Sequence, residues 1–209
     1  MVIFFLLLGI VIISIILIAY QKSKNQYKKN VYFGWIFSLI ICIILLPLYD
    51  PLILRGFLAS AIQGRYEYSV FGLFAGLISI NIAIYASWIF MTSIELQNAE
   101  RYKGKLITIK QYGKRRHPIF ASYHIIGSSY FVIMGAPICL IIFSIIMIFI
   151  NIEAKRIDEQ LSRKFGEKYQ TFKKQVPRRI YSADVLCLVI INYSLLIVGI
   201  IGLVFFSYL

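Results

Sequence analysis

Two polar stretches in an otherwise apolar chain carry the residue types that do chemistry. The first is Arg115-Arg116-His117-Pro118, whose proline heads a long apolar run. Proline is tolerated in a first helical turn, where its missing N–H would be unpaired anyway, so a helix is predicted to start at Pro118. The free N–H groups of that turn, the positive end of the helix dipole and two guanidinium groups just upstream make a corner suited to a carboxylate or phosphate. A simpler account also covers the two arginines, namely that they retain a loop on the cytoplasmic side and touch lipid headgroups. The second stretch, 151–175, holds Glu153, Arg156, Asp158, Glu159, Arg163 and Glu167 together with Ile157, Leu161, Phe165, Tyr169 and Phe172. The i, i+4 spacing of its first four apolar residues predicts an amphipathic helix lying against the membrane or a partner helix, with Glu159 and Arg163 as a favourable surface pair.

Other reactive types are sparse. His117 and His124 are seven residues apart and so share one helical face, but no third ligand stands near them, and no metal site is expected. An imidazole inside an apolar span is costly against lipid, so His124 is expected to face protein or a ligand pocket. Cys42, Cys139 and Cys187 each sit inside an apolar run without a CxxC spacing and read as small core residues.

These residues must be positioned by elements that live in a membrane. Of the 209 residues 60% are hydrophobic and 15% charged, a balance far more apolar than a water-soluble core requires. Four stretches, Met1 to Tyr20, Val31 to Tyr49, Ser69 to Thr92 and Val185 to Leu209, contain no Lys, Arg, Asp or Glu. Each matches the ~20 residues that cross a hydrocarbon core of about 30 Å. Pro118 to Asn151 is too long for one span and is expected to fold back at Gly135-Ala136-Pro137, giving a hairpin and six spans in all. The first stretch lacks a basic region before it and a small-residue cleavage site after it, so it is expected to be retained. Pro51 to Gly64, too short to cross, is expected as a re-entrant or surface helix.

The charges agree with this topology. The chain has 22 Lys and Arg against 9 Asp and Glu, a formal net charge of +13. Lys22, Lys24, Lys28 and Lys29 follow the first span, Arg101, Lys103, Lys105, Lys110, Lys114, Arg115 and Arg116 precede the hairpin, and nine more lie between Lys155 and Arg179. Between Asp50 and Tyr68 there are only Arg55 and Arg65. Alternate loops are therefore basic, which predicts both termini outside and the charged segments in the cytoplasm. The basic residues are juxtamembrane and belong to no binding module, so nucleic acid is not an expected partner. The expected fold class is an all-α, polytopic membrane bundle forming one domain: N-terminal spans over 1–92, a polar core over 105–181 and a C-terminal span over 185–209.

The order of residues in the polar core resembles a family. RRHPIFASY followed about forty residues later by DEQLSRKFGEKYQTFKKQVPRRI resembles the isoprenylcysteine carboxyl methyltransferase and phospholipid methyltransferase superfamily of membrane enzymes. Its pattern is RHPxY, then an acidic pair, then FGxxYxxY and VPR. Arg116, His117 and Pro118 match the first block, Asp158 and Glu159 the pair, and Phe165, Gly166, Tyr169, Val176, Pro177 and Arg178 the last. Linked blocks are more specific than any one of them. The resemblance implies an S-adenosylmethionine site on the cytoplasmic side and a lipid-like or prenylated acceptor reaching it from the bilayer. It implies that Arg116 and the start of the helix at Pro118 hold the cofactor carboxylate and that His117 stands beside them. It further implies that Glu159 accepts from the ribose or ammonium, that Tyr112, Phe165 and Tyr169 shape the adenine slot, and that Phe120 and His124 line the acceptor pocket. Differences from the pattern are Phe120 for its tyrosine, Lys110-Gln111 for a small pair before Tyr112, Phe172 for the second tyrosine, and a further span after Arg179. A carboxylate, an amine and a thiol all remain open as methyl acceptor. The competing readings are an NADPH-dependent lipid reductase, using Arg115, Arg178 or Arg179 on a 2′-phosphate, and a non-enzymatic membrane protein that binds anionic lipid.

Overall fold

The computed structural model describes residues 1–23, 40–54, 57–62, 70–101 and 106–206. Residues 31–39 of the expected second span, parts of Pro51 to Gly64, and the basic loop residues Lys24, Lys28, Lys29, Arg55, Arg65, Lys103 and Lys105 lie outside them. Among the described residues every regular element is helical: α1 (Val2–Ser23), a 3-10 turn (Leu46–Tyr49), α2 (Leu58–Ile62), α3 (Val70–Arg101), α4 (Gln111–Lys114), α5 (Pro118–Met134), α6 (Pro137–Phe165), α7 (Glu167–Gln175) and α8 (Ala183–Phe206). Three helices are long and apolar enough to cross a membrane, over Val70–Asn98, Pro137–Phe165 and Ala183–Gly202, and Val2–Ser14, Ile40–Tyr49 and Pro118–Met134 are shorter apolar helices.

Helix α5 begins at Pro118 and ends at Gly135, which takes the left-handed conformation with φ 67°. Glycine is needed there twice over, because a Cβ would also lie 2.4 Å from Cβ of Phe57. Helix α6 restarts at Pro137, so the chain breaks where Gly-Ala-Pro predicts. One expectation is corrected beyond this point. The amphipathic stretch is not a separate helix from Asn151; α6 runs on to Phe165, stops at Gly166 with φ 54°, and α7 carries the remainder. A change from apolar to charged composition does not interrupt backbone hydrogen bonding, whereas glycine in a left-handed conformation does.

Helix α5 lies against α3, α6 and α8. Small side chains at the crossings, among them Ala86, Ala121, Ser79, Ser122 and Ser128, are fully buried and let the backbones approach. Asn192 of α8 ties three helices together, donating to Ser128 and Ser129 Oγ at 3.0 Å each and accepting from Ser79 Oγ at 3.1 Å. At the Gly135 end, Asp50 accepts from the Cys139 and Leu52 N–H groups at 2.9 Å, and the Leu54 N–H reaches the Gly135 carbonyl at 2.9 Å. The start of α6 is thus capped by a side chain 89 residues away in the sequence, just after the 3-10 turn. At the opposite end, Tyr169, Phe172 and Val176 form a small core with Leu106, Leu161 and Phe165, and this core walls the candidate site.

Candidate functional site

The residue before a proline is pushed out of the helical region, and His117 obeys with φ −124° while Arg115 is extended at φ −155°. The extended segment pairs with the chain after α7. The Arg116 N–H donates to the Arg178 carbonyl at 3.2 Å, and the His117 N–H to the Arg179 carbonyl at 2.9 Å. Arg116 Nη2 adds a bond to the Pro177 carbonyl at 3.4 Å. Successive side chains of an extended segment point to opposite sides, and the two arginines part accordingly. Arg115, wholly buried, meets Asp184 at the start of α8 at 2.5 Å. Arg116 turns toward α6.

There the focal group is Asp158, 3% exposed. Its Oδ1 accepts from His117 Nε2 at 2.8 Å and from the Tyr169 hydroxyl at 2.5 Å. Its Oδ2 accepts from Arg179 Nε at 3.1 Å and is 3.4 Å from Arg116 Nη1. Three hydrogen-bond donors and the nearby Arg116 guanidinium, from three parts of the chain, thus close on one carboxylate, offsetting the cost of burying it. Arg116 is less well served. It is 6% exposed, yet its Nε and Nη1 make no hydrogen bond.

Beside this hub is a cavity of about 340 Å³, within the roughly 300–1,000 Å³ usual for small-molecule sites. Tyr112, Arg116, His117, Pro118, Phe120, Phe165 and Tyr169 all line it, so seven residues singled out from sequence are brought together. Gln97, Leu106, Ile107, Ile119, Tyr123, Ile157, Leu161 and Phe172 complete the wall. Two expected residues are elsewhere. Glu159 is exposed and absent from the lining. One residue is about 100° of helix rotation, and Asp158, three before Leu161, shares that inward residue's face. Of the acidic pair it is thus Asp158, and not the expected Glu159, that bonds residues of the cavity wall. His124 lies deeper in the bundle, with Nδ1 2.8 Å from the Tyr181 hydroxyl and Nε2 3.4 Å from that of Tyr193. Tyr193 in turn bonds Ser144.

Sequence reasoning named Arg179 only as a 2′-phosphate contact and overlooked its bond to Asp158, and it overlooked Gln97 and Tyr123 altogether. For Arg179 the signal was its place directly after the VPR block; for the other two nothing local distinguishes them. Lys110 takes φ 53° and ψ −123°, a region open to glycine and costly for other residues, at the point where the chain departs from the small pair of the family pattern. Burial pushes the Tyr112 hydroxyl up to about 12, and burial together with the Asp158 carboxylate pushes Tyr169 up as well. Both are neutral donors near pH 7. Among the described residues no group of three His, Cys, Asp or Glu is placed to hold a metal. Chemically, the arrangement offers cationic donors at one end of an aromatic and aliphatic slot, a fit for an anionic group attached to a flat or apolar body. No family model, no curated protein and no solved structure matches this chain.

Proposed function

We propose that this protein is an integral membrane methyltransferase that uses S-adenosylmethionine to methylate a lipid-like acceptor. The observation that carries the reading is that Arg116, His117, Pro118 and Tyr169 line one cavity and are held there by hydrogen bonds to Asp158 and to the 177–179 segment behind them. These are the blocks on which the family resemblance rests, and Arg116 and Pro177 are 61 residues apart in the chain.

The residues suit the cofactor. The Nε and Nη1 of Arg116, which make no hydrogen bond although Nη1 lies 3.4 Å from Asp158 Oδ2, match a carboxylate, and Tyr112, Phe165, Tyr169 and Phe172 form a slot for adenine. Ribose and ammonium find Gln97 and the Tyr112 hydroxyl as polar neighbours, with no carboxylate among the described lining residues. When bound, the cofactor supplies an electrophilic methyl group on a sulfonium. The protein's contribution is to hold the two reactants in line and exclude water. Phe120 and Tyr123 face the acceptor side, where Tyr123 stacks with Phe90 of α3 at 5.3 Å. Six spans, with α5 and α6 as a hairpin, both termini outside and the cavity at the cytoplasmic surface, complete the proposal. Its partners are the membrane and a prenylated or otherwise lipophilic substrate. Arg115 and Arg179 pair with Asp184 and Asp158 and neither lines the cavity, which weakens the case for a 2′-phosphate site.

Titration calorimetry of the detergent-purified full chain tests this. S-Adenosylhomocysteine binds and NADPH does not; Arg116→Gln weakens the first by about 10- to 100-fold, the worth of hydrogen bonds to a charged group. Binding of NADPH alone points to a reductase, and binding of neither to a non-enzymatic lipid-binding protein.

A further inference from the structure

Asp158 does more than close the site. A carboxylate can only accept, so the hydrogen between it and His117 sits on Nε2, and in the neutral ring Nδ1 is left as a lone-pair acceptor. Among the described residues Nδ1 has no hydrogen-bond partner, and His117 lines the cavity. Phe120 stacks on the imidazole at 5.7 Å with 25° between the planes, fixing its orientation. A carboxylate holding an imidazole whose other nitrogen faces a cavity is the arrangement of a proton acceptor. The other described side chains of the wall offer no base near neutral pH: Arg116 is a permanent cation, Gln97 an amide, and Tyr112 and Tyr169 are held in the protonated form by burial, with the Asp158 carboxylate adding to it at Tyr169.

The cavity's charge narrows what loses the proton. An ammonium acceptor would add a further positive charge to a cavity that already holds Arg116 and receives the cofactor's sulfonium and ammonium, with no described carboxylate in its wall, since Asp158 lies behind it under three donors and the Arg116 guanidinium. A carboxylate acceptor has already lost its proton near neutral pH and would leave the dyad idle. What remains is a neutral group that is weakly acidic.

We propose that His117 is the catalytic base of this cavity, positioned by Asp158, and that the methyl acceptor is the S–H or phenolic O–H of a lipophilic molecule. This rests on the methyltransferase reading above. The acceptor's proton passes to Nδ1 while Nε2–H stays on Asp158. The freed lone pair on sulfur or oxygen forms the bond to the methyl carbon as the carbon–sulfonium bond breaks, and that electron pair remains on the departing thioether sulfur. The imidazolium then gives its extra proton to solvent.

Two measurements test it. With 2 histidines in the chain, a ¹⁵N-histidine spectrum of the ligand-free protein at about pH 9, where imidazole is ordinarily neutral, resolves both rings, and His117→Gln identifies its own by loss. The expected result is protonated Nε2 with bare Nδ1; the opposite tautomer overturns the assignment. Methyl transfer from S-adenosylmethionine is then compared for 1-dodecanethiol, 4-dodecylphenol and dodecanoate. The wild type prefers a protic acceptor, and His117→Gln lowers kcat/KM for the protic probes at least 100-fold more than for dodecanoate, a loss in the about 10²–10⁴ range of general-base catalysis. The same cofactor serves every probe, so this ratio separates proton transfer from cofactor binding. A wild-type preference for dodecanoate, or equal losses on all probes, overturns the base assignment alone. Failure of S-adenosylhomocysteine to bind overturns the methyltransferase reading beneath it.

Discussion

Two polar clusters join helices in this molecule, and they differ in what they leave over. Around Asn192, the amide gives both hydrogens to serine hydroxyls and its oxygen accepts from a third. Around Asp158 the carboxylate is equally well served, but the neighbouring Arg116 keeps two buried nitrogens without a hydrogen bond. A satisfied knot rigidifies a bundle, whereas buried donors left open beside a cavity mark where another molecule completes the network. The first kind of cluster belongs to the fold, and the second to the site.

The sharpest way to break this comparison is Asp158→Asn. The amide presents hydrogens to groups that are themselves donors and leaves Arg116 and Arg179 without their counter-charge. Unfolding in detergent is expected to become easier by about 3–5 kcal/mol, the usual cost of removing one partner of a buried ion pair, with ligand binding lost as well. Asn192→Leu is expected to cost about 1–2 kcal/mol, in keeping with polar contacts between membrane helices, while leaving S-adenosylhomocysteine affinity unchanged by calorimetry. If Asn192→Leu weakened that affinity as strongly as Asp158→Asn, the division into fold and site would collapse. The smallest effect concerns Tyr112. Its hydroxyl titrates near 12 in the folded chain and near 10 when unfolded, so above pH 10 the unfolded state loses its proton first. Stability is therefore fully present below about pH 10 and declines by at most about 2 kcal/mol as pH rises to about 12. Thermal melts of Tyr112→Phe across that window should show a shallower decline than the wild type.

The sequence reader could see Pro118 and the Gly135-Ala136-Pro137 break because proline and glycine act locally, through a missing donor and a left-handed turn. The course of α6 past Asn151 was hidden for a different reason: solubility changes there and helix geometry does not. Between Asp158 and Glu159 the decision lay in helical phase, and the apolar set Ile157, Leu161 and Phe165 contained it, because Asp158 stands three before Leu161. The linkage of Asn192 to Ser79 and Ser128 had no sequence signature at all, since it depends on which helices cross and at what height. That the His-Pro block meets the Val-Pro-Arg block was legible only through family resemblance, and the backbone bonds between residues 116–117 and 178–179 give it a physical form.

Those two backbone bonds also impose an order of assembly. A ribosome delivers His117 long before Arg179, and until the later residue emerges, one edge of the earlier segment has nothing to pair with. A nascent chain arrested before Pro177 would already hold every residue that lines the cavity yet lack the backbone pairing that fixes Arg116 and His117 in its wall. Closure of that pairing thus marks the moment when translation has gone past Arg179 and the two distant segments have found each other.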